Sequence, residues 1–419
     1  MKDRINKLFA VFSVLLVLVL LVSCGKGRTG KDKTKPYDDA ESTVEQTNVV
    51  TEPETSAAFD SDVSELTEGF AHQTDLISEK YSTTGVQIAV IKGGKLAHTY
   101  EYGYSDTETE TPVSADSKFR VASLSKLTTD MVFMCLCDEG KVSLDTDISE
   151  YLGFTVRNPY YPDVVITPEM LMSHTGTVIN SMDFLNSRNN GSSAKLSSLL
   201  TSKSSFAKAE PGTYYEYSNF SVATIGAICE KVTGKYFDEL AAEYLFEPLG
   251  IDASYLASKL KNQNLLAALY GSGGLSVSKQ LSVASHPEIG QTHHLVQGNL
   301  TISAKDYAKV LSVLCNKGLS DDGKRILSEK SVSEILKSRM MYEENLGTGF
   351  GLVENRALLE GKTVYTHTGR NNGMYATFAF DPVTGNGIVV LTSGAQATYN
   401  EKLSAYDNCT EYIRLLFPQ

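Results

Sequence analysis

The chain has 419 residues, of which 42% are hydrophobic and 21% charged, and its formal net charge is −12. That composition is ordinary for a soluble globular protein, and the length allows one large domain or two lobes sharing a cleft. The acidic excess, with no basic helix or aromatic-basic ribbon, argues against a nucleic-acid partner and leaves the substrate open.

In chain order, Lys2, Arg4 and Lys7 precede the apolar run "LFAVFSVLLVLVLLVS", which ends at Cys24. A basic start, an apolar stretch and small residues at its end describe an export signal over residues 1–23. The run Leu8–Ser23 has 16 residues, short for a membrane span of about 20. Leu21-Val22-Ser23-Cys24 resembles a bacterial lipobox. That resemblance implies that Cys24 is lipidated and becomes the first mature residue, holding the protein on the cell membrane outside the cytoplasm. An uncleaved signal anchor is the alternative, and it leaves Cys24 unexplained. Residues 24–64 are polar, basic first and then acidic, and lack the large apolar groups needed for a core. They read as a disordered tether, and a tether of that length has an r.m.s. reach of roughly 35 Å.

Residues 65–419 read as one α+β domain. Val63 to Tyr81 predicts an amphipathic helix with Leu66, Phe70 and Ile77 on its apolar face. "GVQIAVIKGGKLAHTYEYGYSD" predicts two strands joined at Gly93-Gly94. Met131 to Cys137 is apolar nearly all round, as in a helix buried inside a large protein. Residues 156–297 are mixed helices and loops, a mainly helical lobe. Asn299 to Gly318 holds a further helix, with Ser303 as its cap. "GTGFGLV", "KTVYTHTG", "MYATFAFDP" and "GIVVLTS" predict strands, and a last helix is expected over Asn400–Phe417. Strands early and late predict an antiparallel sheet built from both ends of the chain and flanked by helices, with the middle forming a separate lobe.

Chemistry enters at "FRVASLSK". Ser123 and Lys126 form an S-x-x-K tetrad, which can pair a nucleophile with its proton acceptor. Six such tetrads occur, starting at Ser23, Ser123, Ser192, Ser205, Ser258 and Ser276. Only Ser123 opens a long buried helix, where the dipole and free N–H groups favour an alkoxide and a nearby oxyanion. A lone serine there is usually an N-cap. Two further motifs follow: Tyr217-Ser218-Asn219 before a helix, and His367-Thr368-Gly369 at a strand end. Their decoys are Tyr406-Asp407-Asn408, expected inside the last helix, and His174-Thr175-Gly176, expected to end the helix "PEMLMSH". His174 is expected to have a structural hydrogen-bonding role.

With these motifs and the flanks "LMSHTG", "PGTYYEYSN", "FEPLGI", "GNLTISAKDYAKV" and "HTGRNNG", residues 65–419 resemble the class C β-lactamase and penicillin-binding DD-peptidase family. The resemblance implies Ser123 as acylated nucleophile, with Lys126 and Tyr217 sharing its proton. It implies Asn219 as a hydrogen-bonding partner of the substrate amide, with His367, Thr368 and Gly369 on the strand where substrate docks. The N–H groups of Ser123 and Arg370 would form the oxyanion hole. To act as a base, Lys126 needs burial or a neighbouring cation to release its proton. His367 stands where class C β-lactamases carry lysine and matches DD-carboxypeptidases and related esterases. Protonated below about pH 6.5, it would favour carboxylate-bearing substrates.

The expected activity is an acyl-enzyme serine hydrolase acting on cell-wall D-Ala peptides or esters, as a monomer without cofactor or metal. A class C-type β-lactamase is the alternative, and an inactive surface binding module is a further one. His286, His293 and His294 lack a ligand framework. No G-x-S-x-G elbow occurs. Cys135, Cys137, Cys229, Cys315 and Cys409 read as buried small hydrophobes.

Overall fold

The computed structural model describes residues 64–65, 68–189, 194–271, 273–282, 288–291 and 295–418, all within the unit Phe59–Gln419. The signal peptide, Cys24, nearly all of the tether and His286, His293 and His294 lie outside the described residues. The tether's expected last residue is in fact ordered. Ser64–Glu65 (β1) pairs in parallel with His98–Thr99.

Glu68–Lys80 forms α1, shorter than expected and turned differently. Phe70 is 44% exposed, while Thr74 and Ser78 are the residues buried. The surface α1 meets is phenolic as well as apolar: Ser78 Oγ lies 2.9 Å from Tyr412 Oη, and Tyr100 donates to Asp75 at 2.6 Å. A hydrophobic-periodicity argument cannot see partners of that kind.

Gly85–Lys92 (β2) and Lys95–Asp106 (β3) form the expected hairpin. Gly93 and Gly94 take φ of +57° and +77°, the left-handed pair that a two-residue hairpin turn needs. The buried helix is Ser125–Asp138 (α2), with every residue from Ser125 to Leu136 buried. In the middle of the chain come Pro168–Met172 (α3) and Asn219–Thr233 (α4), then Ala304–Cys315 (α5), capped by Ser303 as expected.

Strands return as Met340–Glu343 (β4), Leu346–Thr348 (β5) and Val353–Asn355 (β6). "GTGFGLV" is thus not one strand. Gly351, at φ +61°, breaks it, and a Cβ there would lie 2.5 Å from Leu127 Cα. The glycines let the backbone press onto α2. Val364–Asn371 (β7), Met374–Asp381 (β8) and Asn386–Ser393 (β9) follow. The expected last helix begins late. Tyr399–Asn400 and Ala405–Tyr406 pair as a small hairpin, and only Asp407–Leu416 (α6) is helical. Tyr406-Asp407-Asn408 therefore lies at the start of that helix, not inside it.

Among the described residues the sheet has ten strands, in the order β1-β3-β2-β9-β8-β7-β6-β5-β4, with Thr111–Pro112 on β3. Apart from β1 against β3, the pairs along this path are antiparallel, and β2 against β9 joins the two ends of the chain. Alternation splits the central strands between two cores. Ala89, Ile91, Phe378, Val389 and Leu391 face α2, α4 and α5. Val86, Ile88, Val90, Ala379 and Val390 face α1 and α6. The helical lobe is not separate. Phe220 and Ile225 of α4 belong to the same continuous core as the sheet residues.

Candidate active site

Phe119–Arg120 pairs with Thr301–Ile302, and the chain then turns sharply through Ala122–Leu124 into α2. Ala122 has φ +49°, a conformation that costs a non-glycine residue about 1–2 kcal/mol. The surroundings hold it: Ser125 Oγ donates to Ala122 O at 2.6 Å, and Val121 N donates to Leu300 O at 2.8 Å. Ser123 sits in this 3₁₀ turn, just before α2 rather than in its first turn. Leu124 is the N-cap of α2, with no side-chain capping bond, so Ser123 is not a cap.

Lys126 is fully buried. Its Nζ donates to Ser123 Oγ at 3.0 Å and to Gln297 O at 2.7 Å, and lies 5.0 Å from the centroid of the Tyr217 ring. Tyr217 Oη donates to Ser123 Oγ at 2.8 Å. The serine oxygen therefore meets both candidate proton acceptors at once. The segment supplying Gln297 O is tied to α2. Thr129 donates to Val296 O at 2.8 Å, and Leu300 N donates to Ser125 Oγ at 3.0 Å.

Tyr217 is placed by what precedes α4. Ser218 caps α4, accepting from Ser221 N. Ser218 N donates to His174 Nδ1 at 3.3 Å, and the His174 ring lies 4.8 Å from the Tyr217 ring. Burial first, then the charge of Lys126, holds His174 well below the usual histidine pKa. A neutral ring can accept at Nδ1, so the expected structural role of His174 is what the geometry gives. Asn180 completes the support. Its Oδ1 accepts from Asn219 N at 2.8 Å and Phe220 N at 3.2 Å, and its Nδ2 donates to Tyr217 O at 3.4 Å. Asn219 keeps its side-chain amide free of hydrogen bonds to described residues and is half-buried.

Strand β7 forms the opposite wall. Val364–Thr366 pairs with β6, whereas β8 pairs from Tyr365 to Asn371. From His367 onward one edge of β7 therefore has no strand partner among the described residues. Asn372 and Gly373, at φ +52° and +78°, make a two-residue turn to β8. Asn371 and Met374 close it as the hydrogen-bonded pair, and antiparallel alternation then aims the N–H of Thr368 and of Arg370 at the unpaired edge. That edge runs past Ser123: a Cβ on Gly369 would lie 2.5 Å from Val121 O and 3.2 Å from Ser123 N.

His367 departs from expectation. It is 8% exposed, with Nδ1 2.8 Å from Thr368 O and its ring 6.1 Å from that of Tyr217. Burial, with the Lys126 charge second and the Thr368 carbonyl opposing, lowers its pKa to about 3. It is neutral through the physiological range, which overturns the expectation of a protonated His367 gripping carboxylates below about pH 6.5.

Ser123, Lys126, Tyr217, His367 and Gly369 thus meet at one site, with Asn219 two residues beyond Tyr217 and Thr368 and Arg370 on the strand that passes Ser123. Asn180 and the Gln297 carbonyl were not visible to sequence reasoning. Neither has a motif, and a backbone carbonyl 171 residues from its partner leaves no residue-type signal.

The sequence profile of the Beta-lactamase family matches residues 59–408. The chain is 25% identical over 338 residues to "Penicillin-binding protein 4" of Amycolatopsis lactamdurans, covering 77% of this chain and 84% of that one. It is 25% identical over 230 residues to "Protein flp" of Staphylococcus aureus (strain MRSA252), which is 53% of this chain and 44% of that relative, less than half its length. Among solved structures, the "Beta-Lactamase/D-Alanine Carboxypeptidase from Pseudomonas syringae" shares the fold at a TM-score of 0.63 and 19% identity, covering 83% of this chain and 98% of that one. Because the profile spans the sheet, the helical lobe and every residue of this constellation, the chain belongs to the beta-lactamase family of serine hydrolases.

Proposed function

We propose that the protein is a surface-anchored hydrolase that forms an acyl-enzyme on Ser123 and acts on D-Ala-terminated wall peptides or on esters. The observation that carries this reading is Ser123 Oγ, held 3.0 Å from Lys126 Nζ and 2.8 Å from Tyr217 Oη beside an unpaired strand edge. Substrate lies along the free edge of β7, its amide meeting Asn219 and its scissile carbonyl aimed between the N–H groups of Ser123 and Arg370. Ser123 Oγ attacks the carbonyl carbon while its proton passes to the Lys126–Tyr217 pair, which acts in the form where one of the two has already given up its proton. The carbonyl oxygen becomes an oxyanion, and one preorganised donor of that kind contributes about 10²–10³ in rate. Collapse breaks the bond to the leaving group, which takes the proton. Water then attacks the acyl carbon, giving up its proton to the same pair; the bond to Ser123 Oγ breaks, that oxygen takes the proton back, and the acid is released.

The names of two of the three similar proteins, a penicillin-binding protein and a β-lactamase/D-alanine carboxypeptidase, support this substrate class. The second also keeps a β-lactamase reading in view. An intact set of Ser123, Lys126 and Tyr217 contacts speaks against an inactive binding module. Lipid attachment at Cys24 would supply the anchor.

A fluorophosphonate probe should label the wild-type chain, and Ser123→Ala should abolish labelling while the fold is kept. Tyr217→Phe should slow the reaction more than it weakens binding. A chromogenic cephalosporin should give a burst of about one equivalent and then turn over slowly, because acylation needs only the groups in place. Label that persists in Ser123→Ala refutes the nucleophile. Rapid cephalosporin turnover without ester or peptide hydrolysis favours the β-lactamase instead.

A further inference from the structure

The stretch "GNLTISAKDYAKV" begins at Gly298, and its first two residues meet Arg120, the second residue of "FRVASLSK". Arg120 Nε donates to Gly298 O at 3.1 Å, and the same guanidinium donates to Asn299 Oδ1. Immediately before them stands Gln297, whose carbonyl accepts from Lys126 Nζ at 2.7 Å. We propose that Arg120 is a positioning residue of the reaction: it fixes the backbone at Gly298 and Asn299 so that the Gln297 carbonyl keeps the Lys126 amine on Ser123. This deepens the reading of Ser123 as nucleophile and Lys126 as its proton acceptor, and rests on it.

The placement follows from the short strand pair. Phe119 and Arg120 lie opposite Ile302 and Thr301. Alternation sends the Phe119 ring into the core, fully buried, and the half-buried Arg120 side chain to the other face, where it meets Gly298 and Asn299. Gly298 N and Asn299 N both donate to Leu295 O, at 3.2 and 3.0 Å, so residues 295–299 make one tight turn with Gln297 at its middle. Thr129 holds the near side of that turn, donating to Val296 O at 2.8 Å. The carbonyls on either side of Gln297 O are thus each fixed by a side chain from the segment that carries Ser123 and Lys126. Thr129 stands three residues after the lysine, and Arg120 three before the serine.

Arginine suits this task because its planar fork reaches two acceptors at once, here a backbone carbonyl and an amide oxygen. An ammonium in the same place is a point charge and does not fix both. The clamp matters because Lys126 reaches Ser123 on a flexible four-carbon stem. A displacement of about 1 Å at a reacting group costs about 10²-fold in rate.

A mutant cycle on the full-length chain tests this, read as the maximal rate of Ser123 acylation by a p-nitrophenyl ester under single-turnover conditions. Arg120→Met should lower that rate about 10²-fold and leave the half-saturating ester concentration within about threefold. Arg120→Lys should recover part of the loss, because it returns the charge without the fork. Asn299→Ala removes one anchor and leaves Arg120 in place; it should lower the rate about threefold to tenfold, and it serves where Arg120→Met does not fold. The decisive comparison is made in Lys126→Ala, where slow acylation of Ser123 is followed by mass. Adding Arg120→Lys or Asn299→Ala there should change the rate less than about twofold, since the group they position is gone. An equal fall in both backgrounds makes Arg120 a support of the fold alone and overturns the proposal. So does an unchanged acylation rate in Arg120→Met, or a loss confined to ester binding. Acylation of Lys126→Ala as fast as wild type refutes the catalytic reading of Lys126 itself, and the proposal with it.

Discussion

Asp130 stands one turn beyond Lys126 on α2, fully buried, and neither carboxylate oxygen has a hydrogen-bond partner among the described residues. Burial lifts its carboxyl well above the usual carboxylate range, and the charge of Lys126 opposes this without reversing it. Burial therefore favours the neutral acid at Asp130. A carboxyl whose folded pKa is raised contributes fully below its unfolded pKa, near 3.9, and the contribution is lost as pH rises through the folded value. Between the unfolded and folded values the unfolded chain binds fewer protons at this residue, so stability falls there as pH rises. Asp130→Asn should flatten that slope in melting curves taken from about pH 4 to 8. A melting temperature with the same pH dependence in both proteins would contradict the buried-acid assignment. In the sequence Asp130 gave no sign of this, because its burial comes from packing against distant segments.

At the scale of elements, the site depends on how closely β7 approaches the turn before α2. Gly369 sets that distance, since any Cβ there would meet Val121 O. Gly369→Ala should displace β7 by a fraction of an ångström to an ångström and lower kcat for ester hydrolysis about 10²-fold or more. The cost in stability should be smaller, about 1–3 kcal/mol, as for other overpacked positions. Activity within about threefold of wild type would show that β7 does not position the reacting carbonyl. Local signals anticipated the hairpin at Gly93-Gly94, the buried α2, the Ser303 cap and strands β7 to β9. They failed where a neighbour overrides the local pattern. Gly351 breaks "GTGFGLV" because α2 lies against it, and Thr74 with Ser78 replaces Phe70 as the buried face of α1 because phenols lie across from it.

At the scale of the whole molecule, the sheet closes the two ends of the domain on each other, and the helical lobe shares its core. The site lies where α2, the loop before α4 and β7 meet, so its parts come from three regions far apart in the chain. The proposed lipid anchor at Cys24 has its own test. In a bacterial host the wild-type chain should incorporate labelled fatty acid and Cys24→Ala should not, while the purified variant still reacts with the fluorophosphonate probe. Equal incorporation in both would remove the lipid anchor from the proposal.

The sequence by itself determined the α+β class, the strands at both ends and the three motifs, because hydrophobic period, turn glycines and ordered residue types are local properties. It also separated Ser123 from five other tetrads by context: Ser276, for instance, merely caps the short helix Val277–Leu281. Only the tertiary structure decided the rest. It set Ser123 in a strained turn before α2, gave Lys126 the Gln297 carbonyl, and had Asn180 and His174 hold Tyr217. It also buried His367, which lowers its pKa, and left Arg370 exposed. Charge state and strand edge depend on burial and on which distant segment lies alongside, and neither is encoded within a window of neighbouring residues.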